Sequence, residues 1–272
     1  MSAAALPAPV GLPTRRGTSF TRVLGAEWSK AWGLRSTRWT VAVMVLLTAG
    51  LSYLSASDSL VGPEGYGSLA YFVTSTLVVT QFPILLLGVL LGSGEPSSRS
   101  AGPTFLAVPA RTPVLLAKAV VTAAVAALTA AATLGLSAAL VLLTPLGGGL
   151  STALTAETTR MWLGSGVYLV AASVVCFGLG AVLRRSVTAV VVAFVVFVLE
   201  LVQVVVPDGL ATLLALLPGH AANLVTSTDS FVDLLRDIGQ LPVAPWTSVA
   251  VTGAWAVLAV AGAAVALRVR DV

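Results

Sequence analysis

Long apolar runs alternate along this chain with short segments that hold most of its charged residues. A helix needs about 20 apolar residues to cross a bilayer, and six of the runs approach or exceed that length. We predict spans at about 39–57, 69–91, 114–143, 161–183, 187–206 and 247–267. This pattern is typical of an all-α polytopic membrane protein, with one six-span transmembrane domain over 39–272.

Two of the runs depart from a plain apolar helix. The second contains Gln81-Phe82-Pro83, and proline removes a backbone hydrogen bond, so we expect a kink there. The third, 114–143, is rich in alanine and longer than a bilayer requires. We therefore expect it to be tilted or to extend beyond the lipid.

An amphipathic pattern precedes the first span. Residues 1–17 are rich in Ala, Pro and Gly and end in two arginines, which predicts a disordered basic tail. From 18 to 35, apolar residues recur three and four positions apart and share one helix face: Phe20, Val23, Leu24, Trp28, Ala31 and Trp32. The charged residues are placed off that face: Arg22, Glu27 and Lys30. We predict an interfacial connecting helix over 18–38, the alternative being the start of an ordinary packed helix.

The segment 207–246, between the last two spans, is the longest connection. Leu210 to Leu217 is too short to span and is followed by Pro218-Gly219, so we expect a re-entrant or surface helix there. Charged residues around Phe231–Ile238 indicate a second, solvated helix. In the alternative, 210–225 dips deep enough to mimic a span, which would change the topology.

Composition and charge support the membrane assignment. The chain is 57% hydrophobic and 10% charged, against about 25% charged residues in soluble domains. With the N-terminus inside, thirteen of the fifteen lysines and arginines fall in inner segments, and only Arg160 and Arg236 lie outside. This asymmetry predicts that both termini are cytoplasmic. It also explains the net charge of +4 without nucleic acid, because no stacked aromatic residues interleave with the cations.

The chain shows no motif for catalysis. It has no Gly-rich phosphate loop ending in Lys-Ser/Thr, and Gly147-Gly-Gly149 lacks a lysine. Its one histidine, His220, is expected to be a hydrogen-bonded or solvated loop residue, and its one cysteine, Cys176, a packing residue. We therefore predict no enzyme activity, and no catalytic, cofactor-binding or metal-binding residue in this chain.

A few polar residues lie inside the predicted spans. Glu200 is the main ionisable candidate, and Gln81 and Gln203 are polar. Each is open to three interpretations: a transport pathway, a helix–helix hydrogen bond, or exposure at the interface. Small residues in spans three, four and six allow close helix approach, and they predict a tight bundle or a subunit contact.

Three stretches together carry a resemblance. Residues 23–40 include Glu27-Trp-Ser-Lys30, which runs into Arg35-Ser-Thr-Arg-Trp-Thr40. The segment after span two holds Gly94-Glu95, then Thr104-Phe-Leu-Ala-Val-Pro-Ala-Arg111, then Leu116-Ala-Lys118. Leu217-Pro-Gly-His-Ala221 precedes the last span. Over nearly the whole chain, these stretches resemble the actinobacterial type-2 ABC transporter permeases.

The resemblance implies a function and partners. The chain would be a half-size permease in a bacterial plasma membrane, which dimerises with a second copy or a paralogue and exports an amphipathic, lipid-like or drug-like substrate. Separate ATPase subunits would bind ATP and Mg and press on the cytoplasmic loop 93–113. By matching position, the ATPase-contact residues would be Glu95, Arg99, Thr104 and Arg111, with Glu27 and Lys30 nearby.

Pro96 and Pro103 depart from the family pattern, because they interrupt a continuous coupling helix. A merely solvated loop is the plain alternative at this place. For the whole chain, two further functions stay open: a non-transport membrane scaffold or regulator with a permease fold, and an ion-coupled secondary carrier.

Overall fold

The computed structural model describes residues 19–57, 68–98, 111–199, 213–237 and 243–269, with only the backbone for 95–98 and 111. The predicted N-terminal tail lies outside the described residues. The helices are α1 (Phe20–Gly33), α2 (Arg35–Ser57), α3 (Leu69–Thr74), α4 (Leu77–Thr80), α5 (Phe82–Ser98), α6 (Arg111–Leu142), α7 (Ala156–Leu183), α8 (Ser186–Val198), α9 (His220–Thr226), α10 (Asp229–Asp237) and α11 (Pro245–Val269). In the described part, the only β pairing is an isolated bridge between Ser68 and Ser151.

Four of these helices are long and apolar enough to cross a bilayer: α2, α6, α7 and α11. The segments Leu69–Thr80 and Phe82–Gly94 pass the same test together, which makes a fifth span if the bent pair is taken as one. This is the architecture of a helical, membrane-embedded protein. In the described residues α8 has only 13 residues, so the sixth span stays a prediction.

The expected kink near Pro83 is confirmed, since the two parts of the second span are bent by 50°. Polar side chains satisfy the backbone around the break. The side-chain amide of Gln81 donates to the Val78 carbonyl at 2.9 Å, and the Thr80 hydroxyl donates to the Thr76 carbonyl at 3.0 Å. Lipid offers no hydrogen bonds, so a broken helix is tolerated at membrane depth only with such substitutes.

The long helices alternate in direction through the bundle. Leu115, Phe177 and Ala263 cluster where α6 begins and where α7 and α11 approach their ends. Ala56 and Val141, from the ends of α2 and α6, cluster at the other end. We call the first end the cation-rich end, because the cations at the start of α6 and the turn after α7 lie there.

Helix α7 is the centre of the bundle and packs against α5, α6, α8 and α11. Two glycines of α5 make its contact with α7 unusually close. A Cβ at Gly88 would lie 2.1 Å from the Ser173 carbonyl oxygen, and one at Gly92 would lie 2.1 Å from that of Phe177. This four-residue glycine spacing lets two helix backbones touch in lipid. The sequence interpretation looked for small residues in spans three, four and six and overlooked this pair in span two.

Hydroxyl groups connect α2 to the broken span. Thr48 and Thr80 bring their hydroxyl oxygens to 2.9 Å, and Ser52 and Thr76 bring theirs to 3.0 Å. Thr48 and Ser52 lie one turn apart on α2, and Thr76 and Thr80 lie one turn apart on the broken span. The two contacts therefore form a short polar line between these helices. The lipid-facing surface is apolar by contrast, with exposed side chains such as Leu46 and Val257. Polar groups thus lie inside and apolar groups outside, as a bilayer requires.

We predict that Gly92→Ala lowers the thermal stability of the detergent-solubilised chain, whereas Gly135→Ala does not. The new methyl at 92 would overlap the α7 backbone, at a cost of about 1–3 kcal/mol. Gly135 has open space around it, and alanine there gains up to about 1 kcal/mol of helix propensity. The melting temperatures are measured by fluorescence-detected size-exclusion chromatography after heating. Equal melting temperatures for the two variants would contradict the close α5–α7 contact.

Candidate functional site

The packing of α1 on the bundle involves a charged residue. Val23, Glu27 and Ala31 recur every four residues, and all three are buried. The placement of Glu27 off the buried face was therefore wrong, whereas Arg22 and Lys30 are exposed as expected. The sequence pattern weighs apolar residues only, and it could not show that a carboxylate with its own counter-ions occupies the middle of this face.

Glu27 is held by two lysines from two different helices. Its Oε1 accepts from Lys30 Nζ at 2.8 Å, and its Oε2 accepts from Lys118 Nζ at 2.8 Å. The Glu27 side chain is 5% exposed, that of Lys118 19% and that of Lys30 45%. A carboxylate this buried requires paired charges or hydrogen bonds. The tie to Lys118 therefore helps to anchor α1 to α6, beside the apolar contact of Val23 with Val114 and Ala117.

Lys118 was quoted as part of the resemblance but was not singled out as a site residue. The signal for its role is present in the sequence, because it is the only charged residue between 112 and 156. A cation at the start of a spanning helix needs a counter-ion or access to water. Which acid supplies the counter-ion depends on the fold, since Glu27 lies more than ninety positions earlier in the chain.

A cleft of about 270 Å³ adjoins this ion cluster. It is bordered by α1, by the last apolar turns of α5 and by the start of α6, with Glu27, Lys30, Leu34, Leu90, Gly94 and Lys118 among its lining residues. Gly94 lies four residues before the end of α5, and Lys118 lies seven residues after the start of α6. The cleft therefore lies near the ends of these two helices.

The two helices that flank the connection between spans two and three are longer than predicted. Helix α5 continues to Ser98, past Pro96, and α6 begins at Arg111, so 99–110 remain between helices where a loop over 93–113 was expected. Glu95 lies on the last turns of α5 and Arg111 opens α6, both described by their backbone alone. Arg99 and Thr104 lie outside the described residues, and so do the span candidates Glu200 and Gln203.

The remaining span candidate, Gln81, lies at the break of the second span. It is 1% exposed, and its side-chain carbonyl accepts a hydrogen bond from the Tyr168 hydroxyl of α7. Its amide bonds the backbone of its own helix, as described above. Gln81 therefore acts in this structure as a helix–helix contact that holds the broken span against α7.

A second cleft opens on the side of the bundle, between α2, α5 and α8. It measures about 390 Å³ and is lined almost wholly by apolar groups, among them Trp39, Val43, Phe82, Pro83, Leu86 and Phe194. The rings of Phe82 and Phe194 lie 5.0 Å apart. Phe82 and Pro83 directly follow the break, so the kinked helix forms one wall of this cleft.

The two single residues of special chemistry are both buried. Cys176 is a packed thiol inside α7. His220 is 6% exposed and its Nε2 has no hydrogen-bond partner, so the expectation of a solvated or hydrogen-bonded loop residue was wrong for that nitrogen. Burial lowers the pKa of His220 to about 4 and keeps the ring neutral. Among the described residues, no three His, Cys, Asp or Glu side chains come together to hold a metal.

Fold and site together define the class: a helical, membrane-embedded protein with an ion-paired helix attached at one end of its bundle. Beyond that class, comparison with models of protein families and with curated proteins finds no match for this chain.

We predict that Lys118→Gln destabilises the chain far more than Lys30→Gln, although both lysines contact Glu27 at the same distance. Losing Lys118 leaves a buried carboxylate without its inter-helix partner, at a cost on the order of 3 kcal/mol. Losing the exposed Lys30, a partner on the same helix, costs about 0.5 kcal/mol. Amide exchange of α1, measured by mass spectrometry, should accelerate only in Lys118→Gln. Equal acceleration in both variants would refute the anchoring role.

Proposed function

We propose that this chain is the membrane-spanning permease subunit of an ATP-binding-cassette exporter in a bacterial plasma membrane, with its cation-rich end in the cytoplasm. Separate ATPase subunits supply the energy from ATP and Mg, and a second permease copy or paralogue completes the transporter. The substrate is amphipathic, lipid-like or drug-like. The observation that carries this proposal is the ion-paired attachment of α1 to α6, near the described ends of α5 and α6.

This attachment unites the two main stretches of the family resemblance. Glu27 and Lys30 belong to the first, at 23–40, and Gly94 and Lys118 belong to the second. These stretches are far apart in sequence, yet all four residues line one cleft. Their convergence supports the interpretation of this end as the place where an ATPase subunit docks.

The packing offers a route for mechanical coupling. A partner that presses on the 99–110 connection moves the ends of both α5 and α6. Glu27 ties α1 to α6, and the glycine contacts tie α5 to α7, so these helices respond as a unit. The break at Gln81 gives α5 a hinge relative to α3 and α4. The work comes from the different affinities of the ATPase for the two states of the permease.

The lateral cleft between α2, α5 and α8 is the place we assign to the substrate. Binding sites for small amphipathic molecules are concave and largely apolar, and this cleft has that character. It opens to the side of the bundle, so a molecule dissolved in the membrane reaches it without crossing water. Its wall includes the kinked part of α5, which links the proposed substrate site to the proposed ATPase contact.

We predict that a co-expressed ATPase subunit purifies with this chain in mild detergent and that the double variant Glu95→Lys/Arg99→Glu reduces its binding at least tenfold. Arg236→Glu, which reverses an exposed charge at the other end, is the matched control and should bind normally. Mass identification of the co-purifying protein, with elution profiles as the check on folding, provides the measurement.

The outcomes of this experiment discriminate between functions. Absence of an ATPase, or ATP turnover by the isolated chain, would refute the proposal. A bound ATPase whose turnover never supports export would favour the scaffold function. Proton-dependent uptake lost in Glu200→Gln would favour the ion-coupled carrier.

We further predict that Phe194→Ala weakens export of a fluorescent lipophilic dye, such as rhodamine 6G, from cells that hold the complete transporter. Phe194 lines the lateral cleft and packs against Phe82. Val191 lies on the same helix with similar exposure and does not line the cleft, so Val191→Ala is the control. A several-fold rise in the apparent KM is expected for Phe194→Ala only. Identical transport by both variants would remove the cleft from the substrate path.

A further inference from the structure

The end of the bundle opposite the cation-rich end contains a buried arginine. Arg160 lies near the start of α7 and is 7% exposed. It begins a π-helical turn, Arg160–Gly164, and such widened turns are frequent at functional sites. A cation in this position requires compensation from neighbouring groups.

The segment that carries α9 and α10 supplies the partners for the buried charge of Arg160. Its Nη1 donates to Asp229 Oδ1 at 2.6 Å, and its Nη2 donates to the backbone carbonyl of Ser227. The contact is reciprocal, because the Asp229 amide donates to Glu157 Oε1 on the first turn of α7 at 3.1 Å. The starts of α7 and α10 are therefore cross-linked by two charged side chains.

The pair is asymmetric in its exposure. The Arg160 side chain is 8% exposed and the Asp229 side chain is 55% exposed. Water can therefore hydrate the carboxylate once the pair separates, whereas the buried guanidinium, whose Nε already lacks a partner, cannot be hydrated without rearrangement. Separating a buried charge from its partner is costly, so the contact favours the closed arrangement strongly. In the neighbouring pair, the side chains of Arg236 and Asp233 are each 61% exposed. Water can hydrate both charges when this pair separates, so it does not favour the closed arrangement strongly.

The segment held by this pair is inserted into the bundle. Helix α9 packs against α4, α7 and α11, and most of its residues are buried. Side chains of α11 bond the non-helical backbone before it: the Thr252 hydroxyl donates to the Pro218 carbonyl at 2.9 Å, and the Trp255 indole donates to the Leu216 carbonyl at 2.7 Å. A re-entrant or surface helix was expected over 210–217, of which 210–212 lie outside the described residues; the packed helix that the structure describes here is His220–Thr226.

Helix α10, by contrast, lies on the surface with only Val232 buried. The inserted α9 is followed directly by this weakly packed helix, and Arg160 bonds Ser227 and Asp229 at the junction between them. Arg160 therefore bonds the point at which the buried α9 passes into the exposed α10.

We propose that Arg160 and Asp229 form an ionic latch that keeps residues 213–226 inserted as a plug in this end of the bundle. Loss of the pair lets the plug withdraw while the rest of the helices stay packed. The latch is a conformational device of this chain alone, and it does not depend on the proposed transport function.

The test compares four variants of the full-length chain in detergent by hydrogen exchange and mass spectrometry. Asp229→Asn keeps the shape but removes the charge, and Asp229→Glu keeps the charge. Asp233→Asn makes the same chemical change in the exposed pair of the same helix. Arg160→Met removes the cation without leaving an unpaired buried charge. The readout is the exchange rate of amides 220–226 relative to those of α5 and α7.

We expect at least a tenfold acceleration at 220–226 in Asp229→Asn and in Arg160→Met, with α5 and α7 unchanged. Asp233→Asn and Asp229→Glu should resemble the parent chain. The latch is refuted if Asp229→Asn exchanges like Asp233→Asn, or if Arg160→Met leaves 220–226 protected. Uniform acceleration throughout α5 and α7 would also refute it, because the pair would then support the whole fold and not the plug.

Discussion

A bilayer provides no hydrogen bonds, and this constraint explains the contacts made at the broken span and by the buried charges of the structure. Each polar group at membrane depth needs a partner within the chain. The broken span meets this need with the amide of Gln81 and the hydroxyls around it, and the inserted α9 segment meets it with Thr252 and Trp255. Charged groups obey the same rule at both ends of the bundle, where Glu27 and Arg160 are buried only because partners from other helices reach them.

The two ends solve the problem of a buried charge differently. At the cation-rich end, one carboxylate is shared by two lysines, so the loss of one cation leaves the other in place. At the opposite end, Arg160 has a single carboxylate partner among the described residues, and that partner is half exposed. The first arrangement suits a permanent attachment of α1. The second suits a contact that can open, since one of its members is already accessible to water.

Between these ends, α7 gives the bundle a rigid centre. Gly88 and Gly92 bring the backbone of α5 into contact with α7. The Tyr168 hydroxyl of α7 donates to Gln81 and so holds the break of the second span against α7. A short interhelical distance leaves little freedom for sliding, so α5 and α7 behave as one body. Helix α10 contrasts with this centre, since only Val232 of its nine residues is buried.

The sequence by itself determined the class of the protein, the kink in the second span and most of the helices, because lipid imposes run lengths and polarity that are visible in one dimension. It could not determine that Glu27 faces inward, or that His220–Thr226 is inserted among the other helices. Each of these depends on a partner distant in the chain. Lys118, Thr252 and Arg160 acquire their roles only when the tertiary structure brings them within hydrogen-bond distance of those partners.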